Sequence, residues 1–363
     1  MLKFSVFLRQ TILNNKKLPT YIYLLLYLGM LINENSIYER STMKKSNSIK
    51  DISKKVTDGI ISCLKKGIIP WKSGCNNLVA DAKNYDGNIY RGINRWILNA
   101  QMMLNNYEAN TWITFNRCRK EGGNVIKGSK STTIVFWNFK YIPDSDCTNC
   151  GGDFKVAKKI QCDCGRKIPY LRSFNVFNIC QTSLFDAEKH IPKPSTETVE
   201  TNTALAEQLI HDWDGQVDIK YGYDNMACPY YSPISDFINI PFGEGVEWVN
   251  DECLHKTTFH EMMHSTGHKS RLDRFDKAVM DGVDAGKLHN RGQYSAEELV
   301  AEMGSQILSD ACGFKTEQLE NTSAYIGSWI KCLKNNENWV IWASGRAEKG
   351  VDMILNNSME GGK

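Results

Sequence analysis

Two histidines four positions apart, with a glutamate directly after the first, constrain this chain more than anything else in it: His260-Glu261-Met262-Met263-His264. An α-helix stacks residues i and i+4 on one face, so a helix here lets both imidazoles reach one ion. Glu261 can then reach a water on that ion as general base, the arrangement of zinc-dependent hydrolases. The surroundings agree with a helix. From Trp248 to Gly267 there is no proline, and the only glycine is Gly267, placed where a helix can end. Val249, Cys253, Leu254, Thr257, Phe259 and Met263 recur at a roughly helical spacing.

Two histidines leave a catalytic zinc site one protein ligand short. Tyr294 to Glu302 reads YSAEELVAE. Ser295 is a good N-cap with Glu298 at the capping-box position, and Glu298 and Glu302 share a helical face. We read Glu298 as the third ligand, with Glu297 its rival. Glu302 is expected to hold a histidine ring by its free N–H. Alone, three glutamates read as a solvated face; the His-Glu-x-x-His string in the same segment tips the balance toward metal. Zinc proteases with three histidines carry the last one where this chain has Ser270, so His268 is read as a helix-end residue or as one that supports a ligand from behind. Tyr294 and Tyr230 are both candidates for a transition-state donor. A strand at 236–240 precedes the metal helix and is expected to line a peptide substrate.

The net charge of +3 hides an asymmetry. Residues 44–140 hold 17 Lys/Arg against 6 Asp/Glu, leaving 27 against 35 elsewhere, so a basic half is joined to an acidic one. In the basic half, cations and aromatics interleave. Trp71, Lys72, Tyr90, Arg91, Arg95, Trp112, Lys127, Lys130 and Trp137 are the candidate DNA contacts: cations for phosphates, rings for bases, as single-stranded DNA requires. For any one aromatic, a place in the core is the commoner outcome.

Cys147-x2-Cys150-x11-Cys162-x-Cys164 lies between two expected strands, 132–142 and 171–179. Four thiols in two close pairs, each pair followed by glycine, resemble a zinc ribbon with a structural second Zn2+. The C-x-C spacing of the second pair departs from the usual C-x-x-C, and a disulfide pair or surface thiols are the alternatives. The other cysteines are mostly isolated in apolar stretches, as in a reducing cytoplasm. The 12-residue apolar run Tyr21–Ile32 is short for a membrane span, so no stable membrane association is expected. Residues 1–43 read as an extension upstream of a natural start at Met43, or as a short hydrophobic segment.

Several stretches together resemble the ArdC-type antirestriction proteins and the related TraC-type plasmid primases. They are Lys66–Lys72 (KGIIPWK), Tyr90–Asn94 (YRGIN), Trp112–Phe115, Gly122–Thr132, Val135–Trp137 and Phe174–Asn178, then Tyr230–Pro233, His260–Leu272 and Tyr294–Glu302. The resemblance runs from about residue 47 to 345. It implies an N-terminal single-stranded DNA-binding domain and a C-terminal zincin-like metallopeptidase domain, carried on plasmids, phages and other mobile elements and protecting incoming DNA from restriction. It carries over His260, His264 and one glutamate of the 297–298 pair as ligands, with Glu261 catalytic. The four-cysteine insertion is not a general feature of the family.

The expected architecture is therefore α+β in two domains. Residues 44–187 form an α/β DNA-binding domain with the cysteine insertion at 147–164, residues 188–200 a linker, and residues 201–355 a gluzincin-like hydrolase domain. A fragment ending near His190 is expected to bind DNA alone. The expected partners are single-stranded DNA and a peptide or protein substrate, a host restriction component among the candidates. Two alternatives stay open: a DNA-binding decoy with a non-catalytic metal site, and a primase-associated transfer protein, for which the sequence shows no nucleotidyl-transfer carboxylate set.

Overall fold

The computed structural model describes residues 49–71, 81–191, 202–224, 228–275, 295–314 and 322–361. The apolar N-terminal run, Lys72, Tyr294 and most of the expected linker lie outside them. The architecture is mixed α and β, in two domains.

The first domain opens with α1 (Ile49–Lys65), whose Ile52, Val56, Ile60 and Leu64 repeat every four residues and are all buried. Next come β1 (Lys83–Asn84), α2 (Ile93–Asn105), β2 (Thr111–Thr114), α3 (Phe115–Lys120), β3 (Thr132–Ile142), α4 (Phe154–Lys159), β4 (Arg166–Asn178) and α5 (Ala187–His190). Gly92 starts α2 at φ 59°, a conformation that costs a side-chain-bearing residue dearly. The sheet order is β1-β2-β4-β3. β1 runs parallel to β2, and β4 is antiparallel to both β2 and β3. β3 and β4 pair along eleven residue pairs, Thr132↔Val176 through Ile142↔Arg166. β4 therefore begins five residues before the expected 171, because β3 gives it a partner down to Ile142.

The second domain holds α6 (Thr203–Asp214), β5 (Asp218–Tyr221), β6 (Tyr230–Ser232), β7 (Phe237–Ile240), α7 (Asp251–Ser265), α8 (Ala296–Ala311), α9 (Thr322–Lys334) and α10 (Trp339–Gly361). Its small sheet has the order β5-β7-β6. The strand expected to line a substrate is β7, but β7 is central in that sheet, hydrogen-bonded on both sides. Its backbone has no free edge for a peptide. The stretch over 323–341 does not form one continuous helix. Asn335 and Asn336 break it: the Asn336 amide donates to the Cys332 carbonyl at 2.8 Å and the Asn335 N–H to the same oxygen at 3.2 Å. Short polar side chains compete with the helical ladder in this way.

One hydrophobic core runs through both domains. It contains Ile60, Leu64, Trp71 and Trp96 from the first, and Phe259, Leu299, Trp329 and Trp342 from the second. Trp71 meets Trp329 edge-on at 5.5 Å. The Thr57 hydroxyl donates to the Glu337 carbonyl at 2.7 Å. Arg91 pairs with Glu348 at 2.8 Å and Asp352 at 2.6 Å, and the Gly92 N–H donates to Glu348 at 2.9 Å. The first half alone lacks these partners, which counts against a self-sufficient DNA-binding fragment.

Candidate metal centre and nucleic-acid face

The Asn250 side chain caps α7, accepting from the Cys253 N–H at 2.8 Å. Asp251 and Glu252 sit in the first turn, favourable to the helix dipole. On this helix the His260 and His264 rings lie 4.8 Å apart, with their Nε2 atoms 3.2 Å from each other. The Ser295 hydroxyl caps α8 by accepting from the Glu298 N–H at 3.1 Å, which brings Glu298 into the first turn facing α7. Glu298 Oε2 is 3.3 Å from His260 Nε2, and its Oε1 is 3.5 Å from His264 Nε2. One donor atom from each of the three residues lies within 4.8 Å of the others. Two ligands ~2.0–2.1 Å from one tetrahedral ion stand roughly 3.3 Å apart, so the spacing and the N2O donor set fit a divalent cation. Glu261 follows the first histidine and is buried.

Burial alone would push the Glu298 carboxyl up; the imidazoles against it outweigh that and hold it far below the usual range. Burial likewise opposes charge on His264, and Glu297 and Glu298 overcome it, leaving its pKa well above the ordinary histidine value.

Glu297 does a different job from its neighbour. Its Oε1 is 3.3 Å from His264 Nδ1, the nitrogen turned away from the metal position. Arg274 donates to both Glu297 oxygens, through Nε at 2.8 Å and through Nη2, and reaches the Met263 carbonyl at 2.8 Å and the Thr266 hydroxyl at 2.8 Å. Arg274 has no counterpart in the sequence reading; the run after His264 holds several basic residues, and nothing in their spacing singles it out. Burial, and Glu302 beside it, raise the pKa of the Tyr325 hydroxyl, which accepts from Trp71 Nε1 at 3.1 Å, and the Glu302 charge also acts on His260. The Tyr230 hydroxyl donates to Asp224, and His268 turns to Ser270 at 2.7 Å and to Asp236.

The second cluster closes the far end of the β3–β4 pair. Cys147 and Cys162 sulfurs are 3.6 Å apart, Cys150 and Cys164 3.5 Å. Sulfurs ~2.3 Å from one tetrahedral zinc stand roughly 3.8 Å apart, whereas a disulfide needs about 2.05 Å. The Tyr141 hydroxyl, 3.6 Å from Cys164, draws that thiol down to about 6, while Cys150 is pushed up to about 12 and Cys162 is also raised. Gly165 lies so close to the Ile142 carbonyl that an added Cβ would sit 2.1 Å from its oxygen.

The family profile for the N-terminal domain of anti-restriction factor ArdC matches residues 50–177, and that for a zincin-like metallopeptidase matches residues 204–346. A crystal structure of the antirestriction ArdC protein from plasmid R388, metal-free, superposes with a TM-score of 0.60 at 26% identity, covering 85% of this chain and 98% of that one. The chain joins an ArdC-type N-terminal domain to a zincin-like metallopeptidase domain. A Mn(II)-bound structure of the R388 protein matches equally, with a TM-score of 0.59. Two Escherichia coli proteins called DNA primase TraC are each 28% identical over 84% and 83% of this chain. The chain spans only 27% and 19% of their lengths. An uncharacterised protein of Sinorhizobium fredii is 23% identical over 84% of this chain and 91% of its own length.

Within this ArdC-type frame, the expected DNA contacts separate. Trp71 and Trp112 are fully buried, their indole N–H groups donating to Tyr325 and to Asn110 at 2.8 Å. They are core residues and offer no face for a base. Arg91 and Arg95 are engaged by carboxylates: Arg91 by Glu348 and Asp352, Arg95 by Asp81 at 2.8 Å and Glu348 at 3.4 Å. Both help hold the two domains together, which takes them from the first rank of phosphate ligands. Tyr90 is half-buried against the Leu98–Trp112 cluster. Lys127 and Lys130 are exposed, and Trp137 is 52% exposed. Phe136, Tyr170 and Phe174, absent from the expected contacts, are exposed on the same strand pair. Alternation along β3 and β4 was the available signal.

Proposed function

We propose that this chain is a mobile-element antirestriction protein that holds single-stranded DNA without sequence preference and cleaves a peptide bond in a protein substrate, a component of the host restriction apparatus being the prime candidate. The observation that carries the hydrolytic half is the convergence of His260, His264 and Glu298 beside the buried Glu261. The N2O set favours zinc, and the Mn(II)-bound R388 structure supports a divalent ion as the class. When bound, such an ion supplies Lewis acidity that brings a water's pKa toward neutrality. Glu261 then takes a proton on its carboxylate and returns it to the leaving amine. Glu297, held by Arg274, keeps the His264 ring in orientation and fixes its tautomer. The four cysteines are read as a closed structural site for a second zinc, all its positions filled by protein.

The test is Glu261→Gln in the full chain. Metal content and affinity for single-stranded DNA should stay at wild-type levels while hydrolysis disappears, and the variant should capture its substrate from a restriction-proficient host. Metal analysis should find about two zinc ions per chain. If the variant still protects incoming DNA in full, the decoy reading replaces the hydrolytic one.

A further inference from the structure

The β3–β4 pair is wider than its support. β2 contacts β4 only at 176–178, so from Arg166 to Asn175 the pair is a two-stranded ribbon closed at its end by the cysteine cluster. Side chains alternate between its faces, and directly opposed residues share a face. The register pairs Phe136 with Arg172, Asn138 with Tyr170 and Lys140 with Ile168. Phe136, Arg172, Tyr170 and Lys140 therefore share one face with Phe174, which stands opposite Ile134. Phe136 is 44% exposed, and Tyr170 and Phe174 each 38%. Phe136 and Phe174 meet edge-on at 5.6 Å, and the Arg172 guanidinium sits 5.3 Å over the Phe174 ring. Over the 24 residues of both strands there are four cations, Lys140, Arg166, Lys167 and Arg172, and no acid.

We infer that this ribbon face is where single-stranded DNA lies, with Phe136, Tyr170 and Phe174 as stacking platforms and Lys140, Arg166 and Arg172 on the phosphates. The inference rests on the single-stranded DNA reading above and gives it a surface. Three exposed rings in a row are costly in water without an occupant. Cations between them select a polyanion with flat apolar faces. A second copy of the chain would bring the same four cations against these four. A duplex stacks its bases inside and leaves the rings nothing to cover. Base–aromatic stacking tolerates any sequence, which suits a protein meeting DNA of arbitrary origin.

The experiment uses the full-length chain and a fluorescein-labelled oligothymidylate of about 20 nucleotides, read by anisotropy across a salt series. Phe136→Ala combined with Tyr170→Ala should weaken binding by about 10-fold or more. Lys140→Ala combined with Arg172→Ala should lower the slope of log K against log salt by about 1.4, at roughly 0.7 for each phosphate no longer neutralised. All four positions are exposed, so circular dichroism and metal content should match wild type. If wild type binds the oligonucleotide and both double variants bind with unchanged affinity and slope, the ribbon is not the site. The same holds if the variants change only self-association in sedimentation. If wild type binds no oligonucleotide, the single-stranded DNA reading fails and this inference fails with it.

Discussion

Arg274 is almost completely enclosed, and its side-chain hydrogen bonds go to the end of the metal-ligand helix and to Glu297. Two neighbouring glutamates thereby acquire different tasks: Glu298 faces the metal position, and Glu297 faces Arg274 and the rear of His264. Glu298→Gln should reduce divalent-ion binding below detection by calorimetry. Glu297→Gln should weaken it by about 10–100-fold, as loss of a carboxylate behind a metal-bound histidine does. Equal losses would mean the two residues share the ligand role. Asp236 offers a separate check on electrostatics. It bonds Arg271 and Tyr231 and occupies φ 50°, where asparagine also fits. Burial pushes its carboxyl up, and Arg271, Tyr231 and His268 together more than offset this, so its pKa lies below the ordinary value. A carboxyl depressed by folding adds stability above its unfolded pKa and loses it as pH falls through the folded one. Wild type should exceed Asp236→Asn in denaturant stability at neutral pH, and the gap should close on acidification below about pH 4. A gap constant to about pH 2 would remove Asp236 from that account.

At the level of elements, the candidate metal ligands stand on α7 and α8, and α10 packs against α7 at Met263. Met263 lies between α7, α8 and α10, and a Cβ on Gly304 would fall 2.2 Å from its methyl, one on Gly350 2.5 Å. The missing side chains let the ligand helices approach, so Gly304→Val should cost about 1–3 kcal/mol by overpacking and weaken metal binding in parallel. A metal affinity unchanged despite the lost stability would show that helix spacing does not set ligand spacing. Much of this was legible in the sequence. The helices around His260 and Ser295, the strand at 132–142 and the cysteine spacing all follow from local pattern. Arg274 was not legible, because its partners lie 8 to 23 positions away and are set by tertiary packing. Nor could periodicity separate buried Trp71 and Trp112 from exposed Trp137, since a basic surface and a tryptophan-rich core have the same composition.

Across the whole molecule, the core shared by α1, α2, α9 and α10 makes one cooperative unit of two domains. Thermal unfolding should give coincident transitions whether read by far-UV circular dichroism or by tryptophan fluorescence; two resolved steps would mean the domains unfold separately. Residues 44–187 expressed alone should lack a cooperative transition, and a sharp one would show that the shared core is dispensable. The same contacts set an order of events at the ribosome. Thr57 and its partner Glu337 are separated by 280 positions. At roughly 5–20 residues per second, α1 waits about 15–55 s between its own emergence and that of the segment that covers it. During that interval the part of its apolar stripe that α2 does not cover faces solvent or a chaperone. A message broken before α10 leaves the stripe only its first-domain neighbours Trp96 and Ile97, with part of its apolar surface uncovered, so partial products from an interrupted gene should be poor in stability and open to proteolysis.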